Sequence, residues 1–125
     1  MTALVVGATL VAGAIGALLR YGATTFAARR GHRLPWAVLV VNIAGCLIGG
    51  VVLGLVERGV IGDDVRLVVL SGLAGGLTTF STWSTETVQL AIEGRWRTAA
   101  GSVLLNLVLG IGAVVLALVV TTALA

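Results

Sequence analysis

The chain is laid out as four apolar blocks separated by short polar interruptions. Residues 2–28 are apolar apart from Arg20 and Tyr21 near the far end, and Arg29, Arg30, His32 and Arg33 follow as a polar loop. Pro35 stands where a second helix would begin, a position that tolerates proline because the first N–H of a helix has no intrahelical partner. Residues 36–56 run apolar around a lone Asn42, with Trp36 as an interfacial anchor, and residues 57–64 close the block. The last block, residues 98–121, holds Asn106 and is preceded by Arg95, Trp96 and Arg97. A helix needs about 20 apolar residues to cross the hydrocarbon core, so the pattern predicts an all-α integral membrane protein. It is read as one four-helix transmembrane domain over residues 1–125, with spans near 3–28, 36–56, 66–92 and 98–121.

The third block departs from the others. Residues 67–76 are apolar, a hydroxyl-rich run from Thr78 to Thr85 follows, and only residues 88–92 are apolar again. Gly75 and Gly76 directly precede Leu77, Thr78 and Thr79 near the middle of the span, and this run predicts a helix broken near mid-membrane. Irregular backbone at that depth persists only when buried in protein or facing water, because an unsatisfied carbonyl in lipid is costly. Freed carbonyls can bind a cation. The second half-helix also directs a partially positive N-terminus into the membrane, which suits an anion pathway. The alternative is an unbroken helix whose Ser and Thr hydroxyls bond back to their own carbonyls.

Phe80 and Trp83 lie three residues apart and so share a helix face, with Glu86 a further turn along it. Taken alone, such rings read first as core or lipid-facing aromatics. Turned edge-on to a cavity, their positive rims can instead contact a small anion without the full charge that would trap it. Asn42 and Asn106 are the only amides of their spans, and each either bonds a neighbouring helix or offers NH₂ donors to an anion. Glu86 and Arg20 are charges within or near the membrane, where a functional reading is the default, although Arg20 can also reach the interface along its own stem.

Composition removes other classes of function. With 58% hydrophobic and 10% charged residues and a mean hydropathy of +1.13, the chain is suited to lipid and leaves no room for a soluble catalytic domain. The net charge of +3 comes from arginines set mostly at helix ends, not from a basic face, so nucleic acid is not an expected partner. Cys46 alone excludes an internal disulfide, and His32 has no partner at metal-ligand spacing and reads as a solvated loop residue. No catalytic triad, carboxylate pair or phosphate loop occurs, so an enzyme is not expected. The N-terminus lacks the charged stretch of a signal peptide and reads as a retained first helix.

Five arginines lie in the loops after the first and third spans, against Arg58 and Arg66 on the opposite side. That bias predicts cytoplasmic first and third loops and outward-facing termini. Glycines recur at spacing four in Gly45/Gly49, Gly50/Gly54 and Gly72/Gly76, which predicts close helix contacts, some of them with a second subunit.

With these residues laid out, the whole chain resembles the Fluc family of small fluoride channels, also called CrcB. The resemblance rests on residues 16–21 (GALLRY), 41–45 (VNIAG), 75–86 (GGLTTFSTWSTE) and 106–110 (NLVLG). It implies an antiparallel dimer with two fluoride pores at the subunit interface and one central sodium ion held by backbone carbonyls, here those of Gly75 and Thr78. It implies a fluoride path past Asn42, the aromatic pair Phe80 and Trp83, and the polar residues Thr79, Ser81 and Asn106. Arg20 matches the vestibule arginine, and Glu86 is a supporting charge. Two departures stand out. Trp83 occupies a position where the family usually has phenylalanine, and Gly110, Gly112 and Ala113 thin the hydroxyls expected after Asn106.

The resemblance further implies passive export of fluoride from the cytoplasm across a bacterial-type cell membrane, lowering fluoride toxicity. The second subunit is either another copy or a related chain of opposite orientation, and the arginine bias favours the latter. A small proton-coupled multidrug exporter is the main rival, but it requires an acid in the first span, and Glu57 is the first acid in the chain. A non-transporting assembly subunit is the other rival. It explains the glycines but gives the broken span no purpose.

Overall fold

Four runs of helix-forming apolar sequence fold as four helical spans in a computed structural model that describes residues 2–30 and 36–124. The elements are α1 (Ala3–Arg29), α2 (Trp36–Glu57), α3 (Asp63–Leu67), a π-helical stretch (Val68–Ala74), α4 (Gly75–Leu77), α5 (Phe80–Ile92) and α6 (Trp96–Leu124). Residues Asp63–Ile92 form a single span in several pieces, and all four spans are long and apolar enough to cross a membrane. These helices begin and end within a few residues of the apolar blocks. Pro35, His32 and Arg33 lie outside the described residues.

Local chemistry sets several ends. The Thr2 hydroxyl accepts from the Val5 N–H at 3.4 Å and caps α1. Gly59 and Gly94, with φ of 68° and 75°, close α2 and α5 in the left-handed conformation that glycine adopts without steric penalty. Each is followed by an N–H that reaches back to a carbonyl five residues earlier, Val60 to Leu55 and Arg95 to Leu90, both at 2.9 Å.

Small residues, not large ones, hold the bundle together. α2 lies along α6, and α1 lies along the π-helical stretch and α4. A Cβ on Gly50 would stand 2.7 Å from the Ala117 Cβ, and one on Gly54 would stand 2.8 Å from the Thr121 Cβ. Across the bundle, a Cβ on Gly72 would lie 2.7 Å from the Thr9 carbonyl oxygen, and one on Gly76 would collide with the backbone of Gly13. Large side chains mostly face outward, Leu4 and Leu124 among them, while Val38 alone among the described residues is large and fully buried. In lipid, outward leucine carries no solvation penalty, so attraction between helices comes from close backbone approach.

The third span is broken, as its sequence predicts, but the glycines are not where it opens. Gly75 and Gly76 remain helical, and the extended residues are Thr78 (φ −80°, ψ 156°) and Thr79 (φ −148°, ψ 121°). β-Branched threonines fit extended backbone, whereas the Gly76 position serves close contact with α1. The π-helical stretch before the break has no counterpart in the apolar pattern.

Candidate functional site

Breaking a helix inside a membrane leaves peptide groups that need new partners, and the bundle supplies them from two other helices, with a third holding one of those partners in place. From α1, Arg20 Nη1 donates to the Thr78 carbonyl at 3.0 Å. Its reach follows from the packing one turn earlier, where a Cβ on Gly16 would clash with the backbone at Leu73 and Leu77. From α2, Asn42 meets both polar groups of Thr79: Oδ1 accepts from the N–H at 2.9 Å, and Nδ2 donates to the carbonyl at 3.3 Å. Nearby, Gly45 makes space for the Thr78 methyl, which a Cβ there would strike.

From α6, Asn106 Oδ1 accepts the second Asn42 amide hydrogen at 3.1 Å, and Asn106 Nδ2 donates to the Ser102 carbonyl at 2.9 Å. Because the Asn42 oxygen must face the Thr79 N–H, the orientation of both amides is determined. Both hydrogens of Asn42 are therefore engaged within the chain, and Asn42 is a brace for the break before it is a donor to anything else. Asn106 keeps one hydrogen outside this network. Ser102 is a participant that the sequence reading overlooked, buried and with no partner for its hydroxyl among the described residues. The available signal was its spacing of one helical turn before Asn106. Both residues line a cavity of about 180 Å³ between α2 and α6.

The break also determines which carbonyls lose their helical donors. In an unbroken helix the Thr79 N–H would bond the Gly75 carbonyl, but Asn42 takes it. The Thr82 N–H would bond the Thr78 carbonyl, but it goes to the Thr79 hydroxyl at 3.2 Å, capping α5. Gly75 and Thr78, the two expected cation ligands, are thus among the carbonyls that lose a helical donor at the break, and Gly76 and Leu77 between them lose theirs as well. Oxygen donors of this kind fit a hard cation, and the Thr78 oxygen has a second lone pair beside the one that receives Arg20.

On α5 the predicted aromatic pair comes together. The Phe80 and Trp83 rings are 5.4 Å apart at an interplanar angle of 65°, an edge contact. Phe80 is 75% exposed and Trp83 half-buried. Ser81 is exposed and lies 3.3 Å from the Thr79 hydroxyl. Glu86 is half-buried, with its Oε2 shielded and without a hydrogen-bond partner among the described residues, and it joins none of the contacts made by Asn42, Thr79 and Asn106. Exposed Ser81, Thr82 and Thr85 make a polar strip in the middle of an apolar span.

Comparison with known proteins identifies the family. Residues 7–118 match the family model described as CrcB-like protein, Camphor Resistance (CrcB). The chain is 44% identical over 117 residues to a protein of Thermobifida fusca named fluoride-specific ion channel FluC 1, covering 93% of this chain and 92% of the relative. It is 43% identical over 111 residues to a fluoride-specific ion channel FluC of Roseiflexus, covering 87% and 90%. A third relative of the same name, from Chloroflexus aurantiacus, is 41% identical over 105 residues, covering 82% and 83%. With four spanning helices, these likenesses make the chain a multi-pass bacterial membrane protein. A match that takes in all four spans and the braced break places the chain in the CrcB family of membrane proteins.

Proposed function

We propose that this chain is one half of a dimeric, fluoride-selective channel that lets fluoride leave the cytoplasm down its electrochemical gradient. The observation that carries the proposal is the break at Thr78 and Thr79, which starts α5 at mid-span and points its positive end into the membrane interior. Relatives named for fluoride conduction support the choice of ion. Hydrogen fluoride crosses bilayers uncharged and dissociates in a near-neutral interior, so a passive anion pore suffices for export. No nucleotide, proton relay or catalytic step enters the mechanism.

The second subunit is antiparallel in this reading, either a copy or a related chain. The exposed hydroxyl strip of α5 and outward-facing Phe80 favour it, since polar groups at that depth require protein or water against them. At the dimer centre the Gly75 and Thr78 carbonyls would hold a sodium ion, whose charge would offset the freed carbonyl dipoles. Along the path, Phe80, Trp83, Ser81 and Asn106 replace water around the dehydrating ion with neutral donors and ring edges, and Thr79, whose N–H and hydroxyl are engaged by Asn42 and Thr82, orients them. Arg20, held against the Thr78 carbonyl, adds a positive field beside the break that attracts anions.

The test is fluoride efflux from liposomes holding this protein alone, followed with a fluoride electrode and compared with chloride. Fast efflux of fluoride over chloride is expected if two copies suffice. Efflux only after adding a related antiparallel chain identifies a heterodimer, and folded protein that conducts under neither condition refutes the channel reading.

A further inference from the structure

We propose that the cavity between α2 and α6 binds one anionic phospholipid, with an acyl chain against its apolar walls and the phosphate held by Arg95, Arg97 and the first turn of α6. The proposal needs only a chain that spans a membrane, not one that conducts. The cavity, of about 180 Å³, is walled by Trp36 and Leu39 of α2 and by Thr98, Gly101 and Leu105 of α6, with Asn106 at its inner end. Among the described residues its walls come from these two helices alone, apart from the α5 hydroxyl strip assigned above to the second subunit. From Thr98 to Leu105 it follows α6 for about 10 Å at 1.5 Å per residue.

Gly101 keeps the wall open. Gly50 and Gly54 admit α6 against α2, but a Cβ on Gly101 would meet nothing within 4 Å. Glycine inside a helix is unfavourable relative to alanine, and no neighbouring helix requires it here. The mouth, in turn, is positive. Both α2 and α6 begin on the side of the membrane where α1 and α5 end, and exposed Trp36 and Trp96 place that level at the interface. Arg97 directly precedes Thr98 in the wall, Arg95 stands just before α6, and neither forms an ion pair among the described residues. Glu93, the only acid of that loop, accepts from Gln89 at 3.1 Å. The N–H groups that open α6 add partial positive charge at the same place. A basic cluster at this depth attracts anionic headgroups, and a neutral lipid or the apolar face of a second subunit would leave both arginines without a counter-charge.

The experiment is native mass spectrometry of the full chain, delipidated in detergent and then given equimolar phosphatidylglycerol and phosphatidylcholine. One retained phosphatidylglycerol per chain is expected, favoured over phosphatidylcholine about ten-fold. Arg95→Gln with Arg97→Gln should abolish that preference, whereas Arg66→Gln on the opposite side should preserve it. Gly101→Leu fills the cavity from open space, so it should unfold no more readily than wild type in a thermal scan and lose retention of both lipids. Equal retention of the two lipids by wild type, or undiminished retention by folded Gly101→Leu, overturns the proposal. So does displacement of the lipid by soluble glycerol phosphate, which would mark a site for free anions. A photo-reactive side chain at Thr98 should label phospholipid; labelling of a second copy instead gives the cavity to the partner and overturns the proposal as well. None of these readouts depends on conduction, so their failure leaves the channel reading untouched.

Discussion

One side chain, Asn42, satisfies both the N–H and the carbonyl of Thr79, at 2.9 and 3.3 Å. It does for the broken span what a neighbouring strand does in a sheet. Replacing it with leucine removes these bonds and the one to Asn106, leaving polar groups unpaired in the membrane. Asn42→Leu is expected to lose about 3–5 kcal/mol of stability, taking roughly 1–3 kcal/mol per stranded group. Asn42→Asp keeps the acceptor for Thr79 N–H and should lose less. Denaturant titration of the purified protein ranks them, and equal stability of all three would contradict the bracing role.

Arg20 combines a hydrogen bond with a charge, and the two separate by substitution. Arg20→Gln can still donate to the Thr78 carbonyl, which now receives Nη1 at 3.0 Å, but it carries no field. Efflux by this variant should fall several-fold at low ionic strength and approach wild type as salt screens the difference. A deficit that persists unchanged at high salt would assign Arg20 to bracing alone.

Gly75 and Gly76 are adjacent, yet they should respond oppositely to alanine. A Cβ on Gly76 would collide with the Gly13 backbone, so Gly76→Ala is expected to cost at least about 2 kcal/mol or to prevent assembly of the bundle. A Cβ on Gly75 would meet only the Leu70 carbonyl at 3.4 Å, and the residue is exposed. Gly75→Ala should therefore fold normally and weaken only the contact with the second subunit. Thermal unfolding and size-exclusion chromatography distinguish the two outcomes.

If the Gly75 and Thr78 carbonyls hold sodium, exchanging it for a bulky organic cation should weaken the dimer, because freed carbonyl dipoles would face one another unscreened. Single-molecule photobleaching at low protein density reads the dimer fraction in either salt. A fraction independent of sodium would remove the ion from the proposed assembly.

Much of this was legible in the chain. Spans were readable because lipid demands unbroken apolar runs, and the break because the run from Gly75 to Thr85 cannot satisfy that demand. Asn42, Asn106 and Arg20 were conspicuous as polar residues without a local reason. What could not be read was the pairing. That Asn42 turns toward Thr79, and that Asn106 backs it, depends on the rotation of α2 and α6 about their axes, and their nearly uniform apolar surfaces leave that rotation unspecified. Glycine contacts such as Gly50 with Ala117 fix it in three dimensions. The π-helical stretch Val68–Ala74 was illegible for a similar reason, since the apolar pattern carries no mark of a widened turn.

The break at Thr78 and Thr79 is tied to α1 through Arg20, to α2 through Asn42 and, through Asn42, to α6. A break braced from three helices keeps one shape. In the proposed channel that fixed shape carries the selectivity, and the cell keeps its membrane voltage because the abundant ions around it are turned away there.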